Sequence, residues 1–255
     1  MYPLRYLPTG HVFINHGDNC DKVIDALLKT KYSEEFCLGA FAHGERDVNM
    51  DYISRLMEAG FLVMSTELVD DEPARGESDR FFILLPKLHL VRSVLFFPNL
   101  HIKKSIRPCL SRYELKADTD FNRILNKCIK THGTDWLTPP LVEVIKRMRK
   151  RKAAPVKPVS FGLYRDGKLK AGEFGIVTGR VYTSYSGYFE EENAGTVQMI
   201  LMARQLEKAG FDFLDFGMPL DYKSDLGAQN ISPRQFVELF RKARRQAVRE
   251  FGRVS

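Results

Sequence analysis

The feature that most constrains the fold is a long strand-like stretch in the second half of the chain. Residues 159–189, VSFGLYRDGKLKAGEFGIVTGRVYTSYSGYF, alternate apolar or aromatic side chains with polar or small ones. A period of two is typical of β-strands. The dipeptides Asp166-Gly167 and Thr178-Gly179 interrupt the pattern with residues that favour tight turns. The sequence therefore predicts three antiparallel strands joined by two hairpins.

Helical patterns precede this predicted sheet. Apolar residues recur at helical spacing within 121–129 and again within 141–148. Thr138 is placed to cap the second helix, and Pro139 suits its first turn. We therefore predict a pair of helices before the strands.

A helix, a strand and a closing helix follow the sheet. Residues 193–211 predict a largely buried helix, 212–219 (DFLDFGMP) a strand, and 232–251 a final helix. A helix pair, antiparallel strands, a helix and a further strand make an α+β domain.

The first ninety residues predict a smaller unit. Residues 51–61 read as a helix, and 61–69 and 80–86 read as strands. A further strand at 91–98 follows in the second domain. The polar interval 70–79, DDEPARGESD, predicts a hairpin or flexible loop. We place a soft domain boundary after residue 88, which leaves a small α/β N-terminal domain and a second domain over 89–255.

Composition narrows the classes of protein. The 255 residues are enough to bury a substantial core, and no apolar run reaches the roughly 20 residues that span a bilayer. The N-terminal MYPLRYLPTGHVFINHGD lacks the apolar core of a signal peptide. The four cysteines are scattered singly, so we expect neither a zinc site nor a redox pair. We expect a cytoplasmic monomer that binds no metal and no membrane.

The distribution of charge is more informative than the net charge of +7. No acidic residue lies between Glu143 and Asp166, an interval that contains eight lysines and arginines. A second basic stretch, FPNLHIKKSIR, covers 97–107 and reads as a strand end followed by a basic helix start. Such fields attract phosphates. The alternative is a solvated helix face followed by a linker.

From about Val91 to Arg244 the chain resembles the leucyl/phenylalanyl-tRNA–protein transferases. The pieces that carry the resemblance are VLFFPNLHIKKS, DWLTPPLVEVI, GRVYTSYSGYFEEENAG, FLDFGMPLDYKSDLGA and SPRQF, in this order. Over the first 90 residues the match is weaker, because Leu62-Val63-Met64 replaces the family's Phe-Pro-Trp.

The resemblance implies a GNAT-like acyltransferase domain of α+β class with a mixed sheet. It also implies transfer of an amino acid from aminoacyl-tRNA to the N-terminus of an acceptor protein, which marks that protein for degradation, with no free coenzyme. The two basic stretches are then the tRNA-binding surface. Its candidate residues are Lys103, Lys104, Arg107, Arg147, Arg149, Lys150 and Arg151.

The reaction asks little of a catalyst. The ester that joins an amino acid to tRNA is already activated, and the attacking α-amine has a pKa of about 7.7–8.0. The enzyme must supply orientation, help with the proton and stabilisation of the tetrahedral oxyanion. One well-placed carboxylate is sufficient, without a covalent intermediate.

Asp215 matches the family's functional aspartate at the end of a core strand, so the resemblance implies a catalytic role. The alternative is a structural aspartate that accepts backbone hydrogen bonds. Two neighbours depart from the family. Gly217 replaces its Gln. Tyr185, the second candidate catalytic residue, replaces its Glu and supplies a hydroxyl in place of a negative charge.

A third departure concerns the pocket for the transferred side chain. Glu173 replaces an apolar residue, and Gly187 replaces a Met. A roomier pocket with a carboxylate suits Arg or Lys better than Leu or Phe, so the donor is either the family's Leu/Phe or Arg. If the strand register slips by one residue, Glu173 points to solvent instead.

Trp136, the only tryptophan, either stacks on the terminal adenine of tRNA or is a core residue. The candidate substrate-binding residues are Trp136, Glu173, Tyr182, Ser186, Gly187 and Gly217.

Other functions stay open. A coenzyme A-dependent GNAT enzyme lacks support, because the Arg/Gln-x-x-Gly-x-Gly/Ala pyrophosphate loop is absent. An inactive tRNA- or degron-binding protein fits the loss of the family's Gln and Glu. An arginyl-tRNA transferase acting on acidic N-termini is the remaining alternative, although the cysteine-rich motif of that group is missing.

Overall fold

The computed structural model describes residues 2–30, 36–40, 49–69, 80–152 and 154–248. Its strands are β1 (Arg5–Tyr6), β2 (Val12–Ile14), β3 (Leu38–Gly39), β4 (Leu62–Val69), β5 (Arg80–Lys87), β6 (Arg92–Leu95), β7 (Glu114–Ala117), β8 (Val156–Arg165), β9 (Lys168–Thr178), β10 (Val181–Phe189), β11 (Phe213–Gly217) and β12 (Gln229–Ile231). Its α-helices are α1 (Cys20–Leu27), α2 (Met50–Ala59), α3 (Phe121–His132), α4 (Pro139–Arg149), α5 (Ala194–Lys208), α6 (Asp221–Asp225) and α7 (Pro233–Ala243).

The chain divides into two compact units. The first contains Met1–Leu90 and Gly133–Ala154, and the second contains Val91–His132 and Pro155–Ser255. Helix α4 is therefore counted with the first unit, whereas the sequence placed it in the domain over 89–255. The proposed division into domains at residue 88 stays a prediction.

The first unit is built on a five-stranded sheet in the order β1-β2-β3-β5-β4. Strands β4 and β5 pair antiparallel over their whole length, as predicted, and the interval 70–79 between them lies outside the described residues. Helix α2 ends at Gly60, whose φ of 110° is the left-handed conformation that favours glycine at a helix end.

The second unit is built on a seven-stranded mixed sheet in the order β12-β6-β11-β10-β9-β8-β7. Strands β8, β9 and β10 are the three predicted antiparallel strands, and Asp166 and Gly167 make the first turn with φ of 51° and 70°. The predicted α+β class is confirmed. The more specific GNAT-like assignment stays a prediction.

Opposite faces of this sheet pack on different helices. Phe161 and Ala171 join residues of α5 in the apolar core, whereas Phe174 meets Phe121 of α3. Because side chains alternate along a strand, odd-numbered β9 residues from Ala171 to Gly175 share the α5 face, and Gly172 and Phe174 share the other.

Two local predictions are corrected. The basic stretch at 97–107 forms no α-helix but a loop between two 3-10 turns, Phe97–Asn99 and Arg107–Arg112. Thr138 does precede α4, but its hydroxyl lies 2.6 Å from the Ser65 hydroxyl rather than capping the helix. By contrast, Ser232 caps α7 in a complete capping box with Gln235, as the sequence of that segment predicts.

Candidate active site at the parting of two parallel strands

The candidate site lies where β10 and β11 separate, a point that we call the parting. They pair in parallel only from Val181↔Phe213 to Thr183↔Asp215. Beyond that point β10 continues beside β9 and β11 ends beside β6. Each strand has a β-bulge at the parting, so that Tyr185 and Phe216 fall between the paired positions of the two strand ladders. Bulges re-aim side chains and are frequent beside active sites.

Asp215 sits at the parting and is fully buried, at 0% exposure. Its Oδ1 accepts hydrogen bonds from Arg92 Nε at 2.8 Å and from the Gly217 amide at 2.9 Å. Its Oδ2 accepts from Arg92 Nη2 at 2.6 Å and from the Thr183 hydroxyl at 2.9 Å. Each oxygen therefore has two donors, and the charge is balanced by a bidentate guanidinium.

Arg92 belongs to the candidate site and was not predicted from the sequence. It is 1% exposed, and its guanidinium lies 4.2 Å from the centre of the Phe236 ring of α7. Together with Thr183 and Asp215 it links strands β6, β11 and β10 across the parting. An arginine within the apolar run VRSVLFF was the available signal, because a buried cation requires a buried anion.

Lys223 is the second missed residue. It is 6% exposed, and its Nζ donates to the carbonyl oxygens of Phe216 and Met218, both at 2.7 Å. These carbonyls flank Gly217 at the end of β11. Burial lowers the pKa of Lys223 to about 8, while Asp215 and Glu173 act in the opposite direction. The ammonium is thus anchored at the parting and deprotonates at a moderately alkaline pH.

Glu173 is buried rather than solvent-facing, at 4% exposure, so the alternative register is wrong. Its Oε2 accepts from Gln198 of α5 at 3.3 Å, whereas its Oε1 has no hydrogen-bond partner among the described residues. Burial raises the pKa of Glu173, against the opposing effects of Ser184, Gln198, Tyr182 and Lys223. Part of that opposing effect is hydrogen bonding with Ser184, Gln198 and Tyr182, so the carboxyl is weakly rather than fully hydrogen-bonded and is a candidate ligand group.

Gly187 lies directly opposite Glu173 across the β9–β10 pair, as the pocket hypothesis requires. A Cβ at this position would lie 3.1 Å from the Glu173 Cβ, so the glycine leaves room beside the carboxylate. Tyr182, on the same face, is fully buried, and its hydroxyl interacts with the Glu173 carboxyl but makes no well-formed hydrogen bond within the described residues. The structure thus brings Glu173, Tyr182 and Gly187 together.

The two predicted catalytic residues, Asp215 and Tyr185, differ in their surroundings. Tyr185 is partly exposed at the β10 bulge, with its ring 6.0 Å from that of Phe174. The neighbouring Ser186 is buried, and its carbonyl accepts from the Cys128 thiol at 3.3 Å. Asp215 bonds to Thr183, which lies on the face opposite Tyr182. Asp215 and Glu173 therefore lie on opposite faces of the sheet.

The candidate tRNA-binding residues fall in both units. Lys103, Lys104 and Arg107 are exposed in the second unit, where Lys103 pairs with Asp225 at 2.6 Å beside a cavity of about 210 Å³. Its lining includes His101, whose Nδ1 lies 3.0 Å from the Asp225 carbonyl oxygen. In the first unit, Arg147, Lys150 and Arg151 are exposed and Arg149 is partly exposed. In the same unit, Trp136 is partly exposed and its carbonyl accepts from the Ser65 amide.

Within the described residues, no group of three or more histidines, cysteines, aspartates or glutamates is arranged to hold a metal ion. None of the helices described is long and apolar enough to cross a membrane.

Comparison with known families identifies the class. A family model described as leucyl/phenylalanyl-tRNA protein transferase matches residues 94–241, which is more than half of the chain. The match places the chain among the aminoacyltransferases. The chain belongs to the leucyl/phenylalanyl-tRNA protein transferase family, as the sequence motifs predicted.

Two individual relatives carry the name of the same family. A leucyl/phenylalanyl-tRNA–protein transferase of Pseudomonas putida (strain W619) is 30% identical over 153 residues, covering 58% of this chain and 66% of the relative. The enzyme of that name from Nitrosomonas eutropha is 28% identical over 157 residues, covering 59% and 65%. The chain thus matches about two thirds of the length of these relatives. Among solved structures, FemX aligns with a TM-score of 0.45 and 10% identity, covering 92% of this chain and 85% of FemX.

Proposed function

We propose that this chain transfers an amino acid from an aminoacyl-tRNA to the N-terminal α-amine of an acceptor protein. The observation that carries the proposal is the family match over 94–241, which contains both parted strands and every polar group of the candidate site except Arg92. The acceptor so modified becomes a substrate for degradation. Cytoplasmic location and a monomeric state belong to the same proposal.

The parting suits this chemistry because two parallel strands separate there in the middle of a sheet, with Ser184 and Tyr185 partly exposed. The reaction requires an ester carbonyl and an amine to be held in contact, and orientation alone accounts for much of the rate. Tyr185, partly exposed at the bulge, is placed to donate a hydrogen bond to a ligand bound there.

Asp215 acts in this proposal as a positioning residue rather than as the base. Both of its oxygens have two donors, and the side chain has no exposure. A carboxylate in this state holds the three strands in register but has no free lone pair for an incoming proton.

We further propose that the pocket accepts arginine as a donor side chain, in addition to the family's leucine and phenylalanine. Support comes from Glu173, whose buried Oε1 makes no well-formed hydrogen bond within the described residues, and from the space left opposite it by Gly187. A guanidinium that reached this oxygen would form a charge-assisted hydrogen bond and remove the cost of the unpaired acid.

The test is a transfer assay with pure protein and separately charged Leu-, Phe-, Arg- and Lys-tRNA. Acceptor peptides begin with Arg, Lys, Asp or Glu. Glu173→Gln is compared with Glu192→Gln, an exposed glutamate in the same unit that serves as the control. We expect transfer from Leu-, Phe- and Arg-tRNA, with only the Arg reaction lost in Glu173→Gln.

The other outcomes separate the competing hypotheses. Transfer of Leu and Phe alone refutes the arginine proposal but leaves the transferase proposal intact. Transfer of Arg to acidic N-termini alone identifies an arginyl-type transferase. Binding of aminoacyl-tRNA without transfer from any donor refutes the enzymatic proposal and favours a binding protein.

A further inference from the structure

The Lys223 ammonium has one hydrogen-bonding direction left over. An ammonium has three N–H donors. The carbonyls of Phe216 and Met218 take two of them at 2.7 Å each, and no acceptor for the third lies within the described residues. A buried lysine is normally fully satisfied, because each missing hydrogen bond costs free energy. The third position is therefore open to a ligand at the end of β11.

Charged groups surround Lys223 from three strands. Asp215 on β11 and Glu173 on β9 favour the protonated form, whereas Arg92 on β6 opposes it. On its own helix, α6, the Tyr222 ring lies 5.7 Å from Nζ. Lys223 thus responds both to Asp215 and to Glu173, which lie on the two opposite faces of the sheet.

Asp215 is not placed to accept the proton that the reaction releases, because each of its oxygens already accepts two hydrogen bonds. Building on the transferase function proposed above, we propose that Lys223 carries this proton, taking it from the acceptor amine and delivering it to the departing ribose oxygen of the tRNA. The burial that lowers the pKa of Lys223 to about 8 suits this role, since general acid–base groups work best when their pKa lies near the operating pH.

The neutral α-amine of the acceptor attacks the ester carbonyl carbon, and its nitrogen carries an extra proton in the tetrahedral intermediate. Neutral Lys223 takes that proton and becomes an ammonium. As the ester C–O bond breaks, the ammonium returns the proton to the ribose oxygen. The products are a peptide bond, a free ribose hydroxyl and neutral Lys223.

The test compares Lys223→Arg and Lys223→Met with the wild-type protein. Arginine keeps the positive charge and the N–H donors but cannot lose its proton. We expect both variants to bind aminoacyl-tRNA and acceptor peptide as the wild type does, and to lose at least about 100-fold in the rate of a single turnover. Lys168→Met, an exposed lysine at the start of β9, is the control and should keep the wild-type rate. Thermal unfolding of each variant verifies the fold.

A second measurement needs no variant. The single-turnover rate of the wild-type protein should rise with pH around 8, and this midpoint should stay in place when the acceptor peptide carries an electron-withdrawing group that lowers the pKa of its own amine. A midpoint that moves with the peptide, or wild-type rates in Lys223→Arg, overturns the role of Lys223 while the transferase function stands. Absence of transfer in the wild-type protein overturns the transferase function itself.

Discussion

Replacing Asp215 by Asn tests the central electrostatic feature of the second unit. The amide keeps an acceptor oxygen for Arg92 Nε and the Gly217 amide, which both bond to Oδ1. Its NH₂ group then faces Arg92 Nη2, now 2.6 Å from Oδ2, and the Thr183 hydroxyl. The hydroxyl can rotate to accept, but the guanidinium has no lone pair, so two donors oppose each other.

The size of the effect follows from burial. Asn leaves the Arg92 guanidinium, 1% exposed, without a counter-charge, and breaking a buried ion pair from one side costs about 3–5 kcal/mol of unfolding free energy. For a protein of this size, that corresponds to a fall in Tm of roughly 6–20 °C. The exposed Lys103–Asp225 pair provides the control, because Asp225→Asn should cost at most about 1 kcal/mol.

Urea unfolding followed by circular dichroism measures both variants. Trp136, the only tryptophan, belongs to the first unit, so its fluorescence reports that unit separately and should change little. Arg92→Met and the double variant complete a thermodynamic cycle, in which the double variant should recover part of the loss. A cost below about 1 kcal/mol for Asp215→Asn, with no coupling to Arg92, would refute the assignment of a buried, mutually dependent pair.

Three further predictions use the same molecule. Burial raises the pKa of Glu173 above its ordinary 4.5, so the folded state keeps this proton to higher pH than the unfolded state and the free energy of unfolding falls as pH rises above 4.5. Glu173→Gln should therefore become more stable relative to the wild type in urea unfolding as pH rises above 4.5. Gly227→Ala should destabilise the protein far more than Gly167→Ala in thermal unfolding. Both glycines have positive φ, but only at Gly227 would the added Cβ meet a backbone carbonyl. Reversing the charges of Arg147 and Lys150 should weaken binding of any tRNA and flatten its dependence on salt in filter-binding assays, whereas an unchanged slope would exclude these residues from the phosphate-binding surface.

The central sheet could be predicted because its information is local. Alternation over 159–189 and the Asp166-Gly167 turn specify three strands and their antiparallel order without knowledge of the rest of the chain. The short elements had no comparable signal. Strand β7 has four residues and β12 three, which is too few for a period to be recognised, and their pairing partners are distant in sequence.

The site was predictable only where a motif named the residue. Asp215 and Glu173 were identified by comparison with family motifs, and the structure places Glu173 directly opposite Gly187. Arg92 and Lys223 were not predicted. Arg92 bonds to Asp215, which lies 123 residues further along the chain, and Lys223 reaches back from α6 to the end of β11. A lone charged residue in an apolar run indicates that a buried residue of opposite charge exists, but it does not identify that residue.

The alternation of the sheet explains why these charges form a divided site rather than one cluster. Thr183 bonds to Asp215, while the adjacent Tyr182 joins the core on the α5 face with Glu173, so the two acids are separated by the thickness of the sheet. Continuous pairing of β10 with β11 would seal each acid on its own face. The bulges at Tyr185 and Phe216 end that pairing, and the end of β11 is where Lys223 is anchored. A ligand bound at the parting would therefore meet a group whose protonation depends on both faces, which is why substitution of Glu173 should also displace the pH midpoint of transfer.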